Sequence, residues 1–461
     1  MPAPSPTPLR HDGFSGLLGV ARRDITPPVG IYSRNWGAAK HDVADAVHRP
    51  FTLTAFTIQE RADAPPLVLI AADLCWWREA STEWDLRGAL LEQLGLHPSR
   101  LLFNLSHTHS GPIISPNCAS MPGGEHIVPY LAKLREAALS ATREALKTAL
   151  PGALEWTTGR CDLAKQRDLP DPAKPRLVCG YNPAEPADDT VLVGRATLST
   201  GRVLATLVNY ACHPVTLAWE NHHLSPDYVG ALREVVEART HAPCLFLQGM
   251  SGELAPAEEY VGDPEIADRH GRRLAFAALS ALEGMLPPAT ELAFAGVVES
   301  GAPLAAWSRR PRELSRTLAA TQGEVPLSIK AEYPPAAEIE RQFAACSDRV
   351  MGERLRRKLA VRKSLGEGAQ FPSKHWVWRI GEAYLACVPH EAYSHLQLEL
   401  RRRFAPHALI AMNLTNGSMA YLPPASQYEH DLYQVWSTPF ERGSLERVTE
   451  GLTADLTQLA P

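Results

Sequence analysis

The chain has 461 residues, and its 46 Lys+Arg against 51 Asp+Glu leave a formal net charge of −5. No basic block stands out, so the electrostatic footprint that nucleic-acid binding requires is missing and nucleic acid is not an expected partner. The length allows two or three domains or one large α/β unit.

The first residues, MPAPSPTPLRHDG, are Pro-rich and are read as a disordered tail over 1–12. The apolar piece after them, FSGLLGVA, is short and poorly flanked for a signal peptide. No run approaches the ~18 apolar residues of a membrane span. The expectation is a cytoplasmic protein without a transmembrane segment, one domain over 13–461, its oligomeric state open.

Short apolar runs expected to be buried strands follow: FTLTAFTI (51–58), PLVLIAADL (66–74), RLLFNLS (100–106), RVLATLVNYAC (202–212), APCLFLQG (242–249), EAYLACVP (382–389) and ALIAMNLT (408–415). Between them, three- and four-residue apolar spacing predicts helices over 130–150, 227–240, 265–285, 335–364 and 391–404. Strands alternating with helices point to an α/β fold of layered mixed β-sheets flanked by helices. The charged 300–365 region has few strand signals and is expected to be a helical insertion whose charges form a solvated surface. The eight cysteines are scattered without a CxxC pair, several in apolar runs, and read as buried thiols.

Four stretches carry chemistry. In NLSHTHSGP (104–112) a strand ends in His107 and His109, which at i and i+2 of an extended chain face the same side. That is half of a zinc site, or a chance pair with one histidine hydrogen-bonded in the core. NYACHPVTL (209–217) repeats the architecture with His213 before Pro214, in a strand-end loop of the kind that holds α/β sites; His222 and His223 follow in WENHHLSPDYVG. CVPHEAYSH (387–395) sets Glu391 at a helix start, and NLTNGSMAYLPP (413–424) sets Tyr421 in an Asn/Gly loop. Helix capping or a buried tyrosine explains the last two equally well. The Trp residues of LCWWREASTEW (74–84) are packing or an entrance lining.

The sequence resembles the neutral, non-lysosomal ceramidase family along most of its length, from GVARRDITPPVG (19–30) through IAADL (70–74) and LSHTHSGP (105–112) to LYQVWST (432–438). The resemblance implies a ceramidase-like catalytic domain, and a zinc amidase with one Zn2+ per chain held by His107, His213, Glu391 and Tyr421. It implies His109 as acid/base, and Arg167 and Tyr433 as groups on the substrate carbonyl and its oxyanion. The implied reaction is hydrolysis of a linear amide bond in a small-molecule or lipid-like N-acyl compound, with a metal-bound water as nucleophile. Two departures accompany it. Ala255 stands where the family has a serine in its Gly-Asp-x-Ser-Pro-Asn stretch, and Ser251 is no nucleophile elbow because Glu253 fills the second Gly position. Glu253 is expected to close a turn or support a neighbour. The sequence also stops soon after LYQVWST, leaving no counterpart to the C-terminal immunoglobulin-like domain of larger ceramidases. An ester- or lactone-cleaving zinc hydrolase, a non-catalytic binding relative and a serine hydrolase acting through Ser251 are the alternatives. The sequons at Asn104, Asn413 and Asn416 fall inside the candidate site loops and are read as coincidence.

Overall fold

The computed structural model describes residues 6–460. Eight strands form one sheet: β1 (Asp12–Asp24), β2 (Thr52–Gln59), β3 (Leu67–Ala72), β4 (Leu101–Leu105), β5 (Leu150–Arg160), β6 (Thr190–Leu198), β7 (Val203–Tyr210) and β8 (Cys244–Gln248). Their order is β8-β7-β6-β5-β1-β2-β3-β4. The middle is antiparallel, while each edge closes with a parallel pair, β7 with β8 and β3 with β4. A second sheet holds β9 (Leu318–Ser328), β10 (Gln370–Ile380), β11 (Ala383–Cys387) and β12 (Leu409–Met412) in that order, with β11 and β12 parallel.

The sheets stack face to face between helices. Strand β3 shows how: as successive side chains of a strand point to opposite faces, Leu67, Leu69 and Ala71 meet Trp376, Trp378, Leu385 and Ile410 of the second sheet in one cluster. Val68, Ile70 and Ala72 point the other way, against α1 (Ala80–Leu94) and α2 (Ile127–Lys147). The β6–β8 edge is covered on that face by α3 (Tyr228–Thr240) and α4 (Pro264–Glu283). The far face of the second sheet packs on α7 (Ser394–Phe404) and α9 (Ser444–Leu459). The result is helix, sheet, sheet, helix. Runs such as LVLIAA, buried on both sides, are continuous apolar segments rather than alternating ones for that reason.

Two sequence expectations are corrected. The 300–365 region is helical only in its second half, as α5 (Ala336–Ala345) and α6 (Arg349–Leu365). Residues Pro303–Pro311 pair with Thr290–Glu299 in a hairpin, and Leu318–Ser328 is β9. These strands are largely solvent-facing, so they lack the apolar run that marks a buried strand. Nor are all the α6 charges at the surface: Glu353 and Arg362 are buried. The Pro-rich tail is pinned over its described part, where Leu9 and Leu292 exchange backbone hydrogen bonds of 3.0 and 2.9 Å and Asp12 opens β1; residues 1–5 lie outside the described ones. No described helix is long and apolar enough to cross a membrane.

Candidate metal centre

The two sheets are stitched together below the site by asparagines. Asn104 at the end of β4 donates to the Asn413 carbonyl (2.7 Å) and accepts from the Gln248 N–H (3.1 Å). Asn209 of β7 donates to the carbonyls of Leu247 (3.0 Å) and Ala411 (2.9 Å). Asn413 exchanges hydrogen bonds with the Ala392 backbone, and Asn416 donates to the Leu101 carbonyl. All four are buried, so the three sequons are structural amides satisfying the seam between sheets.

From this seam four strand ends converge. His107 follows β4 and adopts φ 70°, the left-handed region a non-glycine residue rarely enters. His213 follows β7. Glu391 follows β11 and pairs in a short parallel ladder with Tyr421, which follows β12. The Nδ1 of His107 lies 3.0 Å from the Cys75 carbonyl, and that of His213 lies 2.6 Å from the Ser251 carbonyl. Carbonyls only accept, so both Nδ1 atoms carry the proton and both Nε2 atoms present bare lone pairs. Those Nε2 atoms are 3.0 Å apart, and Glu391 Oε2 is 3.2 and 3.1 Å from them. Three acceptors facing one another without a proton between them repel, and a cation is what this arrangement fits. Tetrahedral zinc with bonds of ~2.0–2.1 Å needs donors about 3.3 Å apart, close to the spacing seen. Burial, aided by Arg167, brings His213 down to about 3, so its imidazole is neutral, the form a metal needs. Cys75, His107 and His109 also group closely, yet burial pushes the Cys75 thiol up, away from the thiolate a metal would take.

The Tyr421 hydroxyl stands 3.5 Å from His213 Nε2. Arg167, 4 % exposed, reaches it with Nη2 at 3.2 Å and also donates to the Gly252 carbonyl at 2.8 Å, so Arg167 lies in the site. Gly252 is required there: a Cβ would sit 2.8 Å from the Glu391 carbonyl oxygen and 2.7 Å from the Tyr393 ring. His109 has both ring nitrogens shut from solvent without a hydrogen-bond partner, and its ring lies 4.8 Å from that of His107. Burial, then the two neighbouring histidines, hold it well below the usual imidazole range. Tyr433 opens α8 (Tyr433–Ser437), its ring 5.6 Å from that of Tyr421. The next residue, Gln434, is anchored on Asp168, which also accepts from the Tyr393 hydroxyl. Glu253 accepts from the Ser394 N–H and hydroxyl where α7 begins, and Ala255 is buried in a short ladder opposite Lys165. His222 stands apart, stacked on His41 and paired with Asp45.

The sequence pattern did not single out the rest of the chamber. Trp36 and Trp76 each place a ring 5.1 Å from His109, and Trp219 and Tyr260 stack beyond Trp36. Glu259 is a carboxylate with both oxygens buried and unpartnered, pushed up to about 7 by burial. Single aromatics in loops carry no periodic signal; the exception is Trp76, which the sequence already offered, in its WW pair, as packing or an entrance lining.

No family model and no curated protein matches this sequence. Solved structures do. The chain is similar to a ceramidase complexed with C2, with a TM-score of 0.69 at 16 % identity over 98 % of this chain and 76 % of that one. It is similar also to the neutral ceramidase from Pseudomonas aeruginosa, with a TM-score of 0.68 at 16 % identity over 98 % of this chain and 75 % of that one. The chain thus has the fold of the neutral ceramidases.

Proposed function

We propose that the protein is a zinc-dependent amidohydrolase that cleaves the linear amide bond of an N-acyl compound, a ceramide or a smaller N-acyl amine. The observation that carries this reading is the convergence of His107 Nε2, His213 Nε2 and Glu391 Oε2, with the Tyr421 hydroxyl as the fourth donor. When bound there, zinc supplies Lewis-acid polarisation of the acyl carbonyl and a water acidified to near neutrality.

The surrounding residues divide the remaining work. His109, neutral and with both nitrogens free, takes a proton on one nitrogen and delivers one to the departing amine. Arg167, whose buried Nε lacks a partner, and Tyr433, kept protonated by burial, donate hydrogen bonds to the oxyanion. Trp36 and Trp76 exclude water from His109. With Ala255 at the serine position and Ser251 Oγ accepting from Gln248 Nε2 (2.7 Å), the reading needs no serine nucleophile.

Elemental mass spectrometry tests it. Wild type should hold zinc near one per chain, and His107→Ala and Glu391→Ala should lose it. His109→Asn should keep the metal while losing about 10²- to 10⁴-fold in kcat on an N-acyl amine. A wild-type protein that takes up no zinc when supplied with it overturns the assignment.

A further inference from the structure

The charges beside Trp76 do not balance. Glu353 of α6, 3 % exposed, faces Arg78 Nη1 at 3.3 Å, Arg356 Nη1 at 2.9 Å and Arg357 Nε at 3.0 Å. Arg34, 4 % exposed, borders the same group through its neighbour Asn35, whose side-chain oxygen accepts from Arg78 and whose carbonyl accepts from Arg357. The nearby carboxylate of Asp42 is taken by Arg349 at 2.6 Å. Three guanidiniums therefore share one carboxylate, Arg78 buried and Arg356 and Arg357 each 27 % exposed at the side chain, with the buried Arg34 beside them. An uncompensated buried charge is costly, and an incoming anion would relieve that cost.

The excess faces the candidate metal centre. The guanidinium carbons of Arg78 and Arg357 lie 4.2 and 5.1 Å from the centroid of the Trp76 ring, which in turn packs on His107 and His109. Arg34 lines, with Trp36 and His109, a small cavity, and its buried Nε has no partner. Arg357 spends Nε on Glu353 and Nη2 on the Asn35 carbonyl, which leaves Nη1. Of these arginines Arg34 alone lines that cavity, and a guanidinium N–H without a partner suits a carboxylate oxygen.

We propose that the N-acyl substrate carries a carboxylate, received between Trp36 and Trp76 by the unengaged N–H groups of Arg34 and Arg357, with Arg78 adding positive charge behind them. The proposal rests on the hydrolytic reading above and narrows its substrate class from neutral N-acyl amines to anionic ones. The carboxylate belongs either to the amine, as in an N-acyl amino acid, or to the far end of the acyl group.

The test compares amides of matched chain length on zinc-loaded wild type: an N-acylglycine, a dicarboxylic acid monoamide and the neutral N-acylethanolamine. One of the two anionic substrates should exceed the neutral one by about 10- to 100-fold in kcat/KM, the range a charge-assisted hydrogen bond supplies. Equal or reversed rates overturn the proposal, whereas failure to cleave any amide counts against the hydrolytic reading instead. Calorimetric binding of the same three ligands to chelator-treated protein keeps the two failures separate: tighter binding of an anionic ligand supports the carboxylate pocket, and equal binding overturns it. Arg357→Met should erase the preference mainly through a raised KM for the anionic substrate. A parallel loss on charged and neutral substrates would make Arg357 merely structural, and Arg34→Met serves where the first variant does not fold.

Discussion

His107 is held in a left-handed conformation at the end of β4, and that strain aims its Nε2 across the seam instead of along the strand. The cost is met by the packing around it, which is why the site tolerates a buried residue so far from its ordinary conformation. Glu253 shows the same kind of local cost. Burial pushes its carboxyl up to about 8, against the hydrogen bonds from Ser394. With the folded value above the unfolded one, the native state binds the extra proton, so this group's contribution to stability is complete below pH 4.5 and is lost as the pH rises through about 8. Glu253→Gln keeps the contact to the start of α7 and removes the titration. Thermal unfolding followed from pH 5 to 8 should therefore fall less steeply in the variant, and identical slopes would show that Glu253 does not titrate there. Among single residues, His107 and His213 stood out in strand-end motifs, whereas Glu391 and Tyr421 were named as ligands only through the family resemblance. Glu259 and Trp36 did not stand out, since a lone charge or ring in a loop acquires meaning only from neighbours distant in sequence.

At the scale of elements, the buried strands stood out as apolar runs, whereas β1, β5 and β6 did not, because their partly exposed edges and polar residues break the run. The helix α9 also passed unread, although Leu445, Val448, Leu452 and Leu456 form its buried stripe. Thr449, Thr453 and Thr457 bend their hydroxyls back to the carbonyls four residues earlier, and Gly451 interrupts the pattern, which lowers its intrinsic helicity. Packing against β9 and β10 makes up the difference. Leu452→Ala, at a fully buried position, should cost about 2–5 kcal/mol in denaturant melts; a change within experimental error would mean that α9 is a dispensable cover. The 300–365 region was misread because the solvent-facing strands there resemble loops, and α6 was taken for surface although it carries Glu353 inward.

On the scale of the whole molecule, four layers meet along one seam, and a bound ion adds its affinity to the stability of the folded state alone. Zinc at about a thousandfold excess over its dissociation constant should add about 4 kcal/mol. A chelator should then lower the unfolding temperature of wild type and leave that of His107→Ala unmoved; equal responses would place the ion elsewhere. The seam also imposes an order in time. His107 and His213 leave the eight-stranded sheet, while Glu391 and Tyr421 leave the four-stranded one, whose β12 starts at residue 409. Neither sheet alone has more than two of these groups, so a chain leaving the ribosome has no complete site until its last strands have docked, and an ion held there would tie the two sheets together only at that late stage.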